Sequence, residues 1–96
     1  MRLFEAELRR IEGELQLLAG APEAGEACFV EALAVARQQE ARSFELRAAT
    51  SLARLWQRTG RRIEARDLLA PIYDWFTEGF DTPDLRDARV LVAGLR

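Results

Sequence analysis

The sequence contains no histidine and no lysine, and its single cysteine is Cys28. Without histidine the usual general base is missing, and Ser43, Ser51 and Cys28 have no activating partner evident in sequence. One cysteine excludes an intramolecular disulfide and leaves a thiolate zinc cluster without ligands, so Cys28 reads as a small buried apolar residue. No GxxxxGK[ST] or comparable phosphate-binding motif occurs. Asp81, Asp84 and Asp87 lack the spacing and the glycine of a calcium loop, and Asp84 and Asp87 suit the first turn of a helix. No apolar run approaches the length of a membrane span, and the amino terminus lacks the basic-then-apolar form of a signal peptide. These absences lead us to expect no enzyme, metal or cofactor, and a reducing, cytoplasmic setting.

What is present fits one small globular domain: 96 residues, 49% apolar and 31% charged, near the size where burial is marginal without association. A formal charge of -2 gives no general pull toward nucleic acid or anionic lipid. All fourteen basic residues are arginine. A GC-rich coding bias accounts for most of them better than selective recognition of anions.

Helical periodicity runs through the chain. Phe4, Leu8, Ile11, Leu15 and Leu18 form one stripe of a first helix, over about residues 3–19, and this stripe is expected to face inward. Gly13 lies inside that helix, where it permits close approach of a neighbour. Gly20-Ala21-Pro22-Glu23 is a break, after which a second helix runs to about Gln39 with Gly25, Cys28, Phe29, Ala32, Leu33 and Ala36 inward. Phe29 is the one large knob on this stripe. Glu40-Ala41-Arg42 connects to a third helix, for which Ser43 is the expected N-cap. That helix carries Leu46, Ala49, Leu52, Ala53, Leu55 and Trp56 inward and stops at Gly60. A fourth, from about Arg62, turns Ile63, Ala65, Leu68, Leu69, Ile72, Trp75 and Phe76 inward and contains Pro71, where a kink is expected. Thr77 to Asp81 reads as a turn around Gly79. Thr82-Pro83-Asp84 then starts a fifth helix with Leu85, Ala88, Leu91 or Val92, and Leu95 on its apolar face, enough to cap helix four.

Gly20 aligns with Gly60, a period of 60 − 20 = 40 residues. In that register Phe29 matches Leu69 and Ala32 matches Ile72. Leu52, Ala53, Trp56, Gly60, Ala65 and Leu69 resemble the tetratricopeptide pattern of large, small, aromatic, glycine, alanine and large, although its usual period is 34 residues. The first unit keeps Gly13, Gly20, Phe29 and Ala32. The resemblance implies an all-α fold of two tetratricopeptide-like hairpins, about 3–39 and 43–76, with a capping helix at about 83–95, all in one domain. A narrower resemblance covers EACFVEALAVARQQEARSFELRAATSLARLW, GRRIEARDLLAPIYDWFTEGFDTPDLRDAR and VLVAGL, most specifically the run from Trp75 to Leu85. These phrases look like the C-terminal tetratricopeptide segment of bacterial multidomain signalling proteins that join a class III nucleotide cyclase to an ATPase. The resemblance implies a regulatory protein whose catalysis lies in other domains.

Ligands of tetratricopeptide arrays lie against the first helix of each hairpin. On helix three that face carries Arg47, Thr50, Arg54, Gln57 and Arg58. The three arginines, spaced seven and four apart, line one face and are the candidate clamp for an acidic peptide or a terminal carboxylate; the competing and simpler reading is a solvated face balanced by Glu45, Glu7 or Glu14. Tyr73, Trp75, Phe76 and Phe80 read as a plug between helices four and five rather than a docking surface. The expected function is a non-catalytic protein-interaction or assembly module. The alternatives are a homodimerising helical protein, with the outer face of helix one as the sticky surface, and a helical region of a transcriptional regulator. The latter needs a basic DNA-reading element that is not visible.

Overall fold

The structure, a computed structural model, describes residues 4–76 and 82–96, and within them every regular element is helical. The helices are α1 (Glu5–Leu18), α2 (Pro22–Gln38), α3 (Arg42–Arg58), α4 (Arg62–Trp75) and α5 (Pro83–Leu95).

The connections among the first four helices share one geometry at residues 20, 40 and 60. Gly20 (φ 81), Glu40 (φ 54) and Gly60 (φ 85) are all left-handed. The amide of the next residue bonds back to the carbonyl five residues earlier, Ala21 to Gln16, Ala41 to Ala36 and Arg61 to Trp56. The left-handed residue donates to the carbonyl three back, which completes a Schellman motif each time. The 40-residue period is therefore two equal steps of twenty. Ser43 is not the N-cap of α3, because the turn at Glu40 closes early and Ala41 takes that place without a side-chain cap bond. Backbone bonds close this turn, so no hydroxyl is required.

Thr82 does cap α5, its Oγ1 accepting from the Leu85 amide at 3.2 Å with Pro83 in the first turn. Pro71 sits within α4, which is one helix and not two. The expected turn at Thr77 to Asp81 lies outside the described residues.

Contacts between helices define two layers. α1, α3 and α5 lie side by side, each α2 and α4 packs against its sequence neighbours, and no Cα of α2 comes within 8 Å of one in α4. The molecule is a slab of 37 × 35 × 19 Å, two helices thick. Its radius of gyration, 12.6 Å, agrees with the value of roughly 12.5 Å for a compact chain of this length. α3 is the axis of the slab and touches each of the other four helices. Accordingly its buried residues surround it: Leu46, Ala49, Leu52, Ala53 and Leu55 as expected, and Glu45, Ala48, Thr50 and Ser51 in addition.

Three expectations about side-chain direction are overturned. The α1 stripe faces outward, with Phe4, Leu8, Ile11, Leu15 and Leu18 between 44% and 85% exposed. The opposite side, Ala6 and Gly13, faces the protein. Gly13 is the reason for that orientation: a Cβ there would lie 2.5 Å from the Phe29 ring and 3.0 Å from the Gly25 carbonyl. A Cβ on Gly25 would meet Leu17 at 2.8 Å and the Gly13 carbonyl at 3.0 Å. Two glycines thus let α1 and α2 cross backbone to backbone, with Phe29 filling the space that side chains would have taken. Only the small side of α1 fits that crossing. Second, Ile63 and Trp75 on α4 are exposed, since Ala65, Leu69 and Ile72 supply its buried face. Third, Cys28 is half-buried, one position off the packed stripe of α2. Tyr73 and Phe76 pack against the core as expected of the aromatic plug. Trp75 instead lies under the Arg42 guanidinium, 4.4 Å from its ring centre. Phe80 is outside the described residues.

Candidate functional site

The layer of α1, α3 and α5 carries the face on which the arginine clamp was expected. A chain of ion pairs crosses it. On α1, Glu7 takes Arg10 through a fork of hydrogen bonds with Nε at 3.1 and 3.2 Å, and Arg10 also lies 3.7 Å from Glu14. Glu7 continues to Arg47 of α3 at 3.4 Å, and Arg47 Nε donates to Asp84 Oδ2 of α5 at 2.7 Å. Glu14 also accepts from Ser51 Oγ at 3.2 Å. Asp84 sits in the first turn of α5, where a carboxylate is favoured by the helix dipole, and that places it to receive Arg47.

The electrostatics follow from this ladder. Burial works to raise the Glu7 pKa, but hydrogen bonds and charge from Arg10 and Arg47 outweigh it and hold the carboxyl below its ordinary range. The Asp84 hydrogen bond, and then Glu7, push the Arg47 guanidinium above its ordinary value. Both groups are permanently charged near neutrality and occupied with one another.

Beside the ladder lies a cleft of about 140 Å³ lined by Arg10, Arg47, Thr50, Arg54, Asp84 and Asp87. The five residues expected to bind are placed together on this side of α3, yet they divide into two groups. Arg47 braces α1 and α5, and the buried Thr50 hydroxyl donates to the Leu46 carbonyl at 2.7 Å. Arg54 lines the cleft with no ion-pair partner among the described residues, while Gln57 and Arg58 are exposed at the carboxyl end of α3. The neutralising group is Glu7, joined by an aspartate that sequence spacing did not indicate. Glu45 instead binds Arg37 at 3.0 Å and Arg42 at 3.4 Å, bridging α2 and α3. Among the described residues no group of three potential ligands is placed to hold a metal ion.

At the other edge, Glu26 of α2 accepts from Trp56 Nε1 at 3.1 Å and from Arg61 Nη1 at 3.0 Å, and Arg61 stacks over the Trp56 ring at 4.5 Å. Glu64 and then Glu26 raise the Arg61 pKa above its ordinary value. This knot ties α2 to the α3–α4 turn beside a wide, open groove of about 610 Å³ lined by Glu23, Ala27, Val30 and Ala34.

The α1 stripe is an apolar feature of the surface, which Phe44 of α3 extends, its ring centre 6.2 Å from that of Phe4. Scattered exposed apolar residues are ordinary, whereas five on one helix face are a surface on the order of several hundred Å², the size at which such patches mark interaction sites. Sequence reading found the stripe but gave it to the core. The signal that corrects it was present: Ala6 and Gly13, seven residues apart, mark the opposite face as the one narrow enough to pack. Comparison with family models, with curated proteins and with solved structures finds no match to this chain. No helix among the described residues is long and apolar enough to cross a membrane.

Proposed function

We propose that the chain is a tetratricopeptide-like helical-repeat module whose work is to bind another protein, not to transform a substrate. The observation that carries this reading is the outward-facing seam of Phe4, Leu8, Ile11, Leu15 and Leu18. An apolar helix face left in water lowers solubility and favours association, and a bound helix takes that face out of water. The two-layer order of helices and the repeated turns at 20, 40 and 60 support the repeat reading. In the setting implied by the resemblance, the module is a cytoplasmic, C-terminal part of a cyclase–ATPase signalling protein and makes contacts for it. The arginine-bearing face is the weaker candidate surface. Arg47 is committed to Asp84 and Glu7, leaving Arg54, Gln57 and Arg58 as the groups on α3 that an acidic peptide would meet.

The test is a double substitution at the seam, Leu8→Glu with Leu15→Glu, read by the neutral dye Nile red and by thermal melting. The native chain is expected to bind the dye. The variant is expected to lose the dye with its melting midpoint within a few degrees of the original, because both side chains are already exposed. A native chain that ignores the dye, or a variant that unfolds, would show the seam to be part of the core.

A further inference from the structure

The cleft beside the ion-pair ladder holds two charges that the ladder does not use. α3 and α5 run in the same direction. Arg47 donates to Asp84, and further along a Cβ on Gly94 would lie 3.8 Å from Gln57 Nε2, the same offset in both places. Arg54 of α3 and Asp87 of α5 fall between these two contacts, and both line the cleft of about 140 Å³. The other charged groups there are matched: Arg10 is taken by Glu7 and Glu14, and Arg47 by Glu7 and Asp84. Arg54 and Asp87 make no hydrogen bond or ion pair, with each other or with any other described residue. One helix thus brings a free guanidinium to the cleft and the other a free carboxylate.

We infer that this cleft binds a small zwitterion, an amino acid of the size of glycine, alanine or serine, with its carboxylate on Arg54 and its ammonium on Asp87. Sign is the first argument. An acidic side chain entering the cleft meets Asp84 and Asp87 as well as Arg54, and a simple cation meets Arg54 beside Arg10 and Arg47. A molecule that carries both charges satisfies the two free groups and leaves the ladder intact. Hydrogen bonding is the second. The guanidinium offers parallel N–H donors to a carboxylate, and the Thr50 hydroxyl, whose proton goes to the Leu46 carbonyl, keeps acceptor capacity for an ammonium. Size is the third. The cleft is well below the roughly 300–1,000 Å³ of pockets that hold larger organic ligands, so its occupant has few heavy atoms. Bound in this way, the ligand ties α5 to α3 beyond the single bridge from Arg47 to Asp84. None of the seam residues of α1 takes part, so this site stands or falls apart from the seam.

The experiment follows the isotope-labelled full chain by NMR, reading the amides around Arg54 and Asp87 and the Arg54 side-chain Nε–H. Glycine, acetate and methylammonium are added in turn at constant ionic strength. Glycine should bind roughly ten-fold more tightly than either singly charged probe, because it alone satisfies both groups. Arg54→Gln should abolish the response to glycine and to acetate. Asp87→Asn should remove the advantage of glycine while leaving acetate bound, a split that a merely structural role for Asp87 would not produce. Asp87 is exposed and Arg54 half-buried, so both variants should keep the spectrum of the native fold. Comparing the three probes on the native chain decides the matter even where a variant does not fold. Equal binding of glycine and acetate would overturn the zwitterion assignment in favour of a plain anion site. Glycine binding that survives both substitutions would lie elsewhere on the chain, and no response to any probe would overturn the site altogether.

Discussion

Glu40 occupies the left-handed position that Gly20 and Gly60 hold in the sister turns, with φ 54 and a Cβ in the way. The conformation costs a non-glycine residue about 1–2 kcal/mol, and glycine gives back about 0.4–1 kcal/mol through its freer unfolded chain. Glu40→Gly is therefore expected to stabilise the protein by about 0.5–1 kcal/mol, seen as a higher urea midpoint at constant slope; a lower midpoint would contradict this account of the turn. At Gly13 the sign reverses. Alanine gains about 1 kcal/mol of helix propensity, but its Cβ meets the fully buried Phe29 ring at 2.5 Å and backbone at 3.0 Å. Overpacking of that kind costs about 1–3 kcal/mol, so Gly13→Ala should lower the midpoint, by more than any substitution confined to the exposed seam. Glu7 gives a pH dependence. Its folded pKa is depressed, so the unfolded chain binds the proton more readily, and the Glu7 contribution is present above the ordinary carboxylate range and lost as pH falls through the folded value. Glu7→Gln should cost stability at pH 7 and progressively less toward pH 3, as measured by urea midpoints; a cost independent of pH would mean that packing rather than charge holds Glu7 in place.

The boundaries of the elements were legible where a residue type is forced by backbone geometry. Gly20, Gly60 and Thr82-Pro83 each announce a helix end or start, and each stands there. The turn at Glu40 was placed but its kinship with the others was not, because a glutamate in the left-handed region carries no signature of that conformation. The direction of a stripe was less legible than its existence. Periodicity shows that α1 is two-faced, but which face packs depends on how closely a neighbour can approach, and small residues win at the Gly13–Gly25 crossing. The pairing of Arg47 with Asp84 spans 37 residues and was invisible to local spacing. One prediction belongs to this scale. The Thr82 hydroxyl satisfies a free amide at the start of α5, and α5 seals Leu85, Ala88, Leu91, Val92 and Leu95 against α3 and α4. Thr82→Ala is expected to cost about 1 kcal/mol, read by chemical denaturation, whereas Thr82→Ser should cost little. Equal losses from both would point to packing of the Thr82 methyl group instead of the cap.

Across the whole molecule the two layers distribute stability unevenly. Every helix has a side open to solvent, but α3 alone packs against all four of the others. Opening α1 or α5 exposes one packed face each, but releasing α3 requires the loss of contacts to both layers at once. Helices packed on fewer neighbours open locally at free energies below that of global unfolding. The amides in the middle of α3, around Ala49 to Ala53, should therefore exchange with deuterium only through global unfolding, with a free energy equal to that from urea denaturation. Those of α1 should exchange at a lower free energy, since that helix joins the protein through the narrow Ala6–Gly13 side and leaves its broad apolar side in water. Adding a helical peptide whose leucine stripe occupies the α1 seam, at saturating concentration, should raise protection in α1 first, by up to the binding free energy, while leaving the central amides of α3 limited by global unfolding. If α1 is already as protected as α3 in the free protein, the seam is held by the fold itself, and the case for a missing helical partner loses its energetic ground.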